Sequence, residues 1–465
     1  MQYDKTKMPK RFTDLVYKDG IEVRENLLKL INNDFFQRLR GIKQLGCSNY
    51  VFPPATTSRF EHSLGAMHMT ELMLLSIANK NPDMEFDIPR YGKFRLTPEL
   101  TERIMIAGLL HDIGHGPYSH LFDEIVKGRY PELEHETRSQ IIIRLLLKRE
   151  LVDYSDNDID FICNLVEPPE DCKRHPLFQI VSNSVSGIDA DKLDYLVRDS
   201  LQVGREIPFQ VSRIINGLDI IDGKLVFPES AKEDVLKVFT TRHYMYKHVY
   251  NHPSVKAIEM MFSDIMQLLN STLGITDSVT DIHRFCSFVD DDVISVFRRA
   301  LRDEQSGHVS VNTDTLVSTE ASASASVNRE GSVSVNTEVD DNFRSAFSIY
   351  KRLIKRDLYR TVYCGNRTDL YSKLPQRLRD KIHVRDIDVG FVNAKKPNPF
   401  DHIHFYSPVY RIPYTVKISD INSLITDNYY EKIVYLIVKD SEAVTDIRAA
   451  IDEILLRSSP TVSGY

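Results

Sequence analysis

The chain has 465 residues, of which 42% are hydrophobic and 27% are charged, and its formal net charge is −7. This composition excludes a generally disordered protein, and the negative charge argues against a surface that binds nucleic acid everywhere by counterion release. The five cysteines are scattered without a C-x-x-C pair. They argue against a disulfide framework and favour a reducing, intracellular environment, either cytoplasm or nucleus.

The N-terminus lacks an apolar region, and no later stretch reaches the roughly 18 uninterrupted apolar residues of a membrane-spanning helix. We therefore expect a soluble protein with no membrane partner. The length exceeds that of one ordinary domain of about 100–200 residues, so we expect one main domain and a smaller lobe.

Apolar residues recur at helical spacing from Glu25 to about Leu269, and prolines divide this region into many medium-length helices. The pattern predicts a mainly α fold. An N-terminal segment at residues 1–24 precedes a helical bundle, the main domain, at residues 25–300.

Residues 301–341 are rich in Ser, Val, Asn, Thr and Ala and repeat the sequence Ser-Val-Asn-Thr. Such low-complexity sequence has too few large apolar groups to offset the entropy of ordering, so it predicts a disordered insertion without chemistry of its own. A predicted helix at 350–356 and strand-like alternation at 402–406 and 433–438 then indicate a small α+β C-terminal lobe at residues 342–465.

The strongest local signal for chemistry is an apolar helical stretch that presents His111 and Asp112 side by side before glycines interrupt it. Imidazole and carboxylate together suit a divalent ion such as Fe, Mn, Zn, Ni or Mg, and the absence of thiolates argues against a closed structural zinc site. A lone His-Asp pair is more often a surface hydrogen bond or a helix terminus. Two further polar islands, Arg59–Ser63 upstream and Gly187–Tyr195 downstream, offer the additional ligands and favour a metal site.

These segments resemble the HD superfamily of phosphohydrolases, and more closely the deoxynucleoside triphosphate triphosphohydrolases of the sterile-alpha-motif and HD-domain-containing type. The resemblance covers nearly the whole chain apart from the Ser-rich insertion, and it implies an HD-domain helical bundle. We expect no sterile alpha motif domain. The resemblance is carried by Phe36–Arg40, Ile42–Gly46, Tyr50–Pro53, Arg59–Gly65, Ala107–His120, Ile188–Lys192 and Asn398–His402.

The resemblance also implies the residues of the reaction centre. The implied metal ligands are His62, His111, Asp112 and Asp191. The implied catalytic residues, beside the scissile phosphate, are His115, His120, His135 and Asp123. A bound divalent ion lowers the pKa of water for attack on phosphorus, while a histidine protonates the leaving 5′-oxygen. Asp123 would orient His135 and raise its pKa. Without the resemblance, His135 would be interpreted as an exposed helix histidine.

A second set of residues is implied to bind the nucleotide. Gln44 and Leu45 would face the sugar, where lack of room for a 2′-hydroxyl would select deoxyribose. Basic side chains would bind the triphosphate. Without the resemblance, each basic side chain would be interpreted as a solvated charge, and the tyrosines would be interpreted as part of the packed core. The implied substrate-binding residues are Gln44, Leu45, Arg59, Lys192, Tyr195, Asp199, Arg242, Tyr246 and Tyr250.

The family is activated by a nucleotide bound between the subunits of an oligomer. Where a guanine-recognising acid is expected, this chain has Asn33, which cannot accept two guanine N–H bonds as a carboxylate can, although Asp34 could substitute. The candidate regulatory residues are Asn33, Gln37, Arg40, Arg213, Arg356 and Arg360. We expect a homo-oligomer, either a dimer or a tetramer, in which activation by a nucleotide is altered or absent.

The sequence therefore predicts metal-dependent hydrolysis of deoxynucleoside triphosphates to deoxynucleoside and inorganic triphosphate. Because the metal site alone fixes phosphoester cleavage and not the substrate, a nucleotidase or phosphodiesterase of the HD superfamily is an alternative. A non-catalytic regulator that binds nucleotides or single-stranded nucleic acid is a second alternative. If the protein is an enzyme, we expect nucleic acid to be only a secondary partner.

Overall fold

The computed structural model describes residues 9–306, 337–391, 398–425 and 430–458. Most of these residues are helical, which confirms the predicted mainly α class. The helices are α1 Glu25–Ile31, α2 Asp34–Gln37, α3 Arg59–Lys80, α4 Pro98–Leu110, α5 His120–Lys127, α6 His135–Glu150, α7 Asp156–Val166, α8 Phe178–Val181, α9 Ala190–Gln202, α10 Val211–Asn216, α11 Lys232–Met245, α12 Pro253–Leu273, α13 Ile282–Ser287, α14 Asp290–Ser306, α15 Thr337–Ile354, α16 Leu370–Lys373, α17 Gln376–Arg379, α18 Ile418–Ile421 and α19 Val444–Ser458.

Ten short strands form four small sheets among the described residues. The strands are β1 Lys10–Phe12, β2 Ile21–Val23, β3 Glu85–Ile88, β4 Gly92–Arg95, β5 Asp219–Ile221, β6 Lys224–Pro228, β7 Arg360–Gly365, β8 Ile382–Gly390, β9 His404–Tyr406 and β10 Tyr430–Val438. Strands β1 and β2 pair antiparallel, as do β3 and β4, while β10 lies between β7 and β8 in an antiparallel sheet. The strand signals at 402–406 and 433–438 correspond to β9 and β10.

Helix α3 is the central helix, and it packs against α4 and α9. Its start is fixed by a capping box in which the Ser58 backbone N–H donates to the Glu61 carboxylate at 2.9 Å. Helix α4 begins with Thr97, which accepts from the Leu100 N–H, followed by Pro98 at the first helical position. Because more than half of its side chains are buried, neighbouring elements hold α3 on most of its surface.

The C-terminal residues are joined to the bundle by strand pairing and by ring packing. Strand β9 pairs parallel to β6, with Val226 opposite His404. Helix α15 packs against α12, and the Phe297 ring of α14 stacks on Phe347 at a centroid distance of 5.9 Å. The main hydrophobic cluster therefore contains residues from Ile21 to Ile437, and a separate cluster contains residues from Leu370 to Ile451.

Helices extend into both ends of the segment predicted as a low-complexity insertion. Helix α14 continues to Ser306 and α15 begins at Thr337, because apolar residues on both sides, including Phe297 and Phe343, pack against each other. Residues 307–336, the centre of that segment, lie outside the described residues. In the described part of the chain, every helix is too short or too polar to cross a membrane.

Candidate metal centre and active site

Three packed helices bring four potential metal ligands together. His62 lies in the first turn of α3 and is fully buried, while His111 and Asp112 follow the last residue of α4. Asp191 is the second residue of α9, whose N-terminus is capped by the Asp189 carboxylate. The ends of α4 and α9 therefore meet at the beginning of α3, where a partly exposed Asp191 borders solvent.

Ligand atoms from His62, His111 and Asp112 lie within 4.8 Å of one another, and Asp191 Oδ1 lies beside both histidines. The Nε2 atom of His62 is 3.0 Å from Asp191 Oδ1, 3.3 Å from His111 Nε2 and 3.5 Å from Asp112 Oδ2. His111 Nε2 is 3.5 Å from Asp112 Oδ2 and 3.4 Å from Asp191 Oδ1. Metal bonds of about 2.0–2.2 Å place neighbouring ligand atoms roughly 3 Å apart, so the donor set fits a divalent ion. His111 Nδ1 lies 2.9 Å from the Gly108 carbonyl, which directs Nε2 to the centre.

The charges of these groups suit metal binding. Burial lowers the pKa of the His62 imidazole, but its hydrogen bonds to Asp191 and Asp194 outweigh burial and raise the pKa to about 10. Burial also raises the pKa of Asp112, yet the adjacent Arg59 guanidinium outweighs it and holds the pKa well below its usual value. The carboxylates therefore stay ionised near neutral pH, as metal ligation requires, while an ion must displace the proton from His62.

A buried network that the sequence reasoning missed holds His62 in place. Its Nδ1 lies 2.9 Å from Asp194 Oδ2, and Asp194 also accepts from Arg198 Nε at 2.9 Å and from the Tyr17 hydroxyl at 2.7 Å. Arg198 in turn donates to Asp14 at 2.9 Å. A carboxylate on the far nitrogen of a ligating histidine fixes its tautomer and orientation. The sequence did contain one signal for this contact: Asp194 follows the potential ligand Asp191 by three residues, a spacing that places both side chains on the same face of a helix.

Replacing Asp194 by alanine is expected to destabilise the fold by about 3–5 kcal/mol, because Arg198 and His62 would lose a buried charged partner. Affinity for a divalent ion should fall about 10–100-fold, the usual cost of losing an outer partner of a ligating histidine. Urea unfolding and metal titration measure the two effects. Tyr17→Phe, which removes only one hydrogen bond to the same carboxylate, serves as the milder control at about 1 kcal/mol. Equal losses in both variants would contradict the assigned role of Asp194.

Three histidines surround a second carboxylate beside the metal centre, and we call these four residues the histidine cluster: His115, His120, Asp123 and His135. Asp123 Oδ2 is 3.2 Å from His135 Nδ1, and its other oxygen pairs with the buried Arg138 guanidinium. The rings of His115 and His135 stack at a centroid distance of 4.0 Å. Burial lowers the pKa of His135, but the hydrogen bond and charge of Asp123 outweigh it and raise the pKa.

Close backbone packing places this cluster. A Cβ atom at Gly114 would lie 2.2 Å from the carbonyl oxygen of His135, so only glycine lets the loop after α4 approach the start of α6. Farther along that loop, Ser119 adopts a φ of 59°, and its Oγ accepts from Arg59 Nε at 2.9 Å. The loop therefore links the histidine cluster to the arginine that pairs with Asp112.

Both groups of residues open into one cavity of about 460 Å³. Every residue predicted to bind substrate lines this cavity, together with two of the potential metal ligands and all three histidines of the histidine cluster. The predicted residues on its wall are Gln44, Leu45, Arg59, Asp112, His115, His120, His135, Asp191, Lys192, Tyr195, Asp199, Arg242, Tyr246 and Tyr250. His62, His111 and Asp123 lie behind that wall, in contact with lining residues.

Residues 59–195, which contain all four potential metal ligands, match the family model of the HD domain. The chain is 34% identical over 408 residues to an HD domain-containing protein of Acanthamoeba polyphaga mimivirus. The aligned region covers 83% of this chain and 82% of the viral protein. This chain belongs to the HD-domain family. HD domains bind divalent metals, which agrees with the cluster of potential ligands formed by His62, His111 and Asp112.

The HD-domain protein is also similar to the SAMHD1 deoxynucleoside triphosphate triphosphohydrolases, which confirms the resemblance of the motifs. It is 32% identical to the SAMHD1 homolog of Dictyostelium discoideum, over 62% of this chain and 55% of that protein. It is 28% identical to SAMHD1 of Homo sapiens, over 83% of this chain and 63% of that protein. The chain thus spans less than two thirds of the length of these two SAMHD1 proteins.

A π-helical turn at Tyr246–Tyr250 shapes the wall of the HD-domain cavity. The sequence predicted regular helical spacing here, whereas the wider turn follows directly on α11. Tyr250 donates to Asp199 Oδ2 at 2.7 Å, and the Arg242 guanidinium lies 4.1 Å from the centre of the Tyr246 ring. Such turns occur frequently at functional sites, and no local sequence signal predicted this one.

Several buried polar atoms on the wall have no hydrogen-bond partner among the described residues. They include Gln44 Oε1 and Asp199 Oδ1, as well as Glu136 Oε2 and His115 Nδ1. Burial raises the pKa of Asp199 to about 7. Sequence reasoning also missed Lys256 on this wall, where it pairs with Glu259 at 2.7 Å. Unpaired buried acceptors are costly, so Gln44 Oε1 and Asp199 Oδ1 are candidates for contact with a bound molecule.

The candidate regulatory residues do not form one site within the described chain. Asn33 caps α2 by accepting from the Phe35 N–H at 3.0 Å and donates to Glu150 at 2.8 Å, so both ends of its amide have structural partners. The others also have structural contacts: Gln37 donates to the Ile31 carbonyl and accepts from Arg40 at 2.8 Å, and Arg40 also covers the Phe60 ring. Arg213 donates to the Ser230 carbonyl, Arg356 donates to the Tyr50 carbonyl, and Arg360 begins β7 as an exposed residue. Asp34, the suggested substitute, pairs with Arg149 at 2.7 Å.

Proposed function

We propose that this HD-domain protein hydrolyses deoxynucleoside triphosphates to deoxynucleoside and inorganic triphosphate. The observation that carries the proposal is a single cavity in which a potential donor set for a divalent ion, a histidine cluster and unpaired buried acceptors adjoin one another. Similarity to SAMHD1 proteins, which are named for this reaction, supports the substrate class.

In this mechanism His62, His111, Asp112 and Asp191 would hold the ion. When bound, a divalent ion there supplies an activated water and a polarised α-phosphoryl oxygen. We propose Fe, Mn, Zn, Ni or Mg, because two imidazoles and two carboxylates without a thiolate accommodate all of these ions.

His135 would protonate the leaving 5′-oxygen as general acid. Its Nδ1 faces the Asp123 carboxylate at 3.2 Å, and its Nε2 lies 3.3 Å from Glu136 on the cavity wall. Asp123 raises the pKa of His135 and keeps more of it protonated near neutral pH. His115 and His120 share that carboxylate, so they would position the pair and contact the phosphate.

The wall would hold the rest of the nucleotide. Arg59 and Lys192 reach the cavity next to the metal ligands, where cationic groups can pair with phosphate oxygens. The free Asp199 oxygen would accept from the 3′-hydroxyl, while Gln44 and Leu45 would leave no room for a 2′-hydroxyl. Arg242, Tyr246 and Tyr250 would form the face toward the base.

We propose a homo-oligomer, dimer or tetramer, whose activation by guanine nucleotides is altered or absent. The structural contacts of Asn33 support altered activation, because its amide is not free to recognise a base. Large apolar side chains exposed at Val409, Tyr410 and Ile412 support a surface that another subunit covers. Mass measurement in solution with and without GTP and dNTPs should show an oligomer that GTP leaves unchanged, and a monomer under every condition would contradict the proposal.

Product analysis tests the reaction directly. The metal-loaded chain, incubated with each dNTP and NTP plus Mn²⁺ or Mg²⁺, is expected to release inorganic triphosphate from dNTPs. Ribonucleotides should react at least about 10-fold more slowly, because a hydroxyl without room or partner costs more than about 1.4 kcal/mol. Release of phosphate from monophosphates instead would favour a nucleotidase, and cleavage of phosphodiesters a phosphodiesterase.

The remaining alternative is a regulator that binds nucleotides or single-stranded nucleic acid without turnover. The formal net charge of −7 argues against strong general binding of nucleic acid. Absence of turnover with every nucleotide, together with oligonucleotide binding that weakens steeply with salt, would favour that alternative.

A further inference from the structure

The histidine cluster has the composition and spacing of a transition-metal site of its own. Ligand atoms from His115, His120, Asp123 and His135 all lie within 4.8 Å of one another. Three imidazoles and one carboxylate form a donor set that Zn²⁺ binds readily in proteins. We propose that a second transition-metal ion, with Zn²⁺ as the best match, binds here and inhibits the enzyme.

The distances from the Asp123 oxygen to the three histidines are close to those of tetrahedral coordination. Asp123 Oδ2 is 3.2 Å from His135 Nδ1, 3.5 Å from His115 Nδ1 and 3.7 Å from His120 Nδ1. Bonds of about 2.0–2.1 Å in a tetrahedral zinc site place ligand atoms roughly 3.3 Å apart. The three Nδ1 atoms thus surround one carboxylate oxygen at nearly the spacing that a shared ion requires.

Two of these atoms are buried and face the centre of the cluster. His115 Nδ1 has no hydrogen-bond partner within the described residues, and the closest contact of Asp123 Oδ2 is His135 Nδ1 at 3.2 Å. The Arg138 guanidinium holds the other oxygen of Asp123, and Arg138 Nε is itself fixed on the Gly114 carbonyl at 2.9 Å. The carboxylate is therefore anchored on one side and presents its second oxygen to the cluster.

The outer contacts of the cluster match those of metal-binding histidines. His115 Nε2 lies 3.4 Å from Asp112 Oδ1, and His135 Nε2 lies 3.3 Å from Glu136 Oε1. Histidine ligands usually donate the N–H of the nitrogen that does not bind the metal to a carboxylate, which leaves the other nitrogen as the ligand. Both contacts leave Nδ1 free to bind an ion. His120, whose side chain is 76% exposed, gives an ion access from solvent.

An ion at this site would remove the proposed general acid. Binding at His135 Nδ1 displaces the proton that Nδ1 shares with Asp123, and it ties both residues to the ion. No covalent or redox change is required. The binding of this second ion is independent of the reaction, whereas its inhibitory effect rests on the proposed function of His135.

Metal counting on the full-length chain tests the site without an activity assay. After equilibration with excess Zn²⁺ and removal of unbound ion, elemental analysis should find two equivalents in the wild type. His120→Asn, which changes an exposed ligand and so preserves the fold, should retain one equivalent. His111→Ala should also retain one, because it affects only the first centre, and His383→Asn in the C-terminal lobe should retain two. Zinc affinity at the cluster should fall in His120→Asn by at least the ~10–100-fold that loss of an outer contact costs.

Substitution of Co²⁺ gives a spectroscopic readout of the same site. His120→Asn should lose the visible absorption of a tetrahedral cobalt centre, and His111→Ala should keep it. One equivalent in the wild type at saturating Zn²⁺, or two in His120→Asn, would overturn the proposal. If the protein hydrolyses no nucleotide, these counts still test the site. If it does hydrolyse nucleotides, excess Zn²⁺ should inhibit the wild type far more than His120→Asn, when each rate is compared with the zinc-free rate of the same protein. Equal inhibition of the two proteins would refute the inhibitory role.

Discussion

Replacing His111 and Asp112 together by alanine is expected to abolish hydrolysis of deoxynucleoside triphosphates, with a rate loss of at least about 10³-fold. The reason is that two of the four potential ligands disappear. Metal activation lowers the activation free energy of such reactions by several kcal/mol, and each reduction of about 1.4 kcal/mol corresponds to a tenfold increase in rate. Triphosphate release at saturating Mn²⁺ measures the rate, and elemental analysis measures the bound ion. The first-centre ion should be lost together with the activity.

This double change also leaves the buried Arg59 without its carboxylate partner, so the free energy of unfolding of the double variant must be measured. His111→Gln with Asp112→Asn keeps the size of both side chains and repeats the test with less disruption. The matched control is Asp401→Ala with His402→Ala, which removes an adjacent Asp and His from a short 3₁₀ turn outside the cavity. Retained activity in a folded double variant of His111 and Asp112 would refute the metal assignment.

The helical class and the candidate pair His111 and Asp112 could be predicted because their signals are local, whereas the full ligand set was implied by the family resemblance and stays a prediction. An apolar helix that ends in His111 and Asp112 shows in the sequence itself, and the polar residues near His62 and Asp191 interrupt apolar helices in the same way. The cavity then brings the predicted substrate residues to one wall. Local patterns of this kind depend on helix periodicity, which the sequence expresses directly.

The features that the sequence did not reveal depend on contacts between distant segments. Asp194 supports His62 only because α9 packs against α3, and the π-helical turn at Tyr246 depends on its surroundings rather than on a local motif. The pairing of β9 with β6 joins His404 to Val226 across the chain, which no alternation of apolar residues can specify. Asn33 likewise lies where the family resemblance places a recognition residue, but tertiary packing uses it as a helix cap.

The histidine proposed as general acid permits a test that separates chemistry from folding. His135→Gln is expected to lower kcat about 10²–10⁴-fold, the usual contribution of general acid catalysis. The loss should be much smaller for a p-nitrophenyl ester of triphosphate, because that leaving group departs without a proton. His383→Gln, in strand β8, is the control. An equal loss on both substrates would show that His135 acts through structure or binding and not as an acid.

The dependence of kcat on pH tests the same assignment of His135 as the general acid, because the direction of the change with pH can be predicted. A general acid must be protonated, so kcat should fall as pH rises through the pKa of His135. That pKa lies above the ordinary value of ~6.5 because Asp123 outweighs the opposing effect of burial. Asp123→Asn removes the charge but keeps an acceptor for Arg138, so the alkaline limb should move to lower pH. An alkaline limb that stays in place in Asp123→Asn, in a variant with unchanged helical content, would mean that another group donates the proton to the 5′-oxygen.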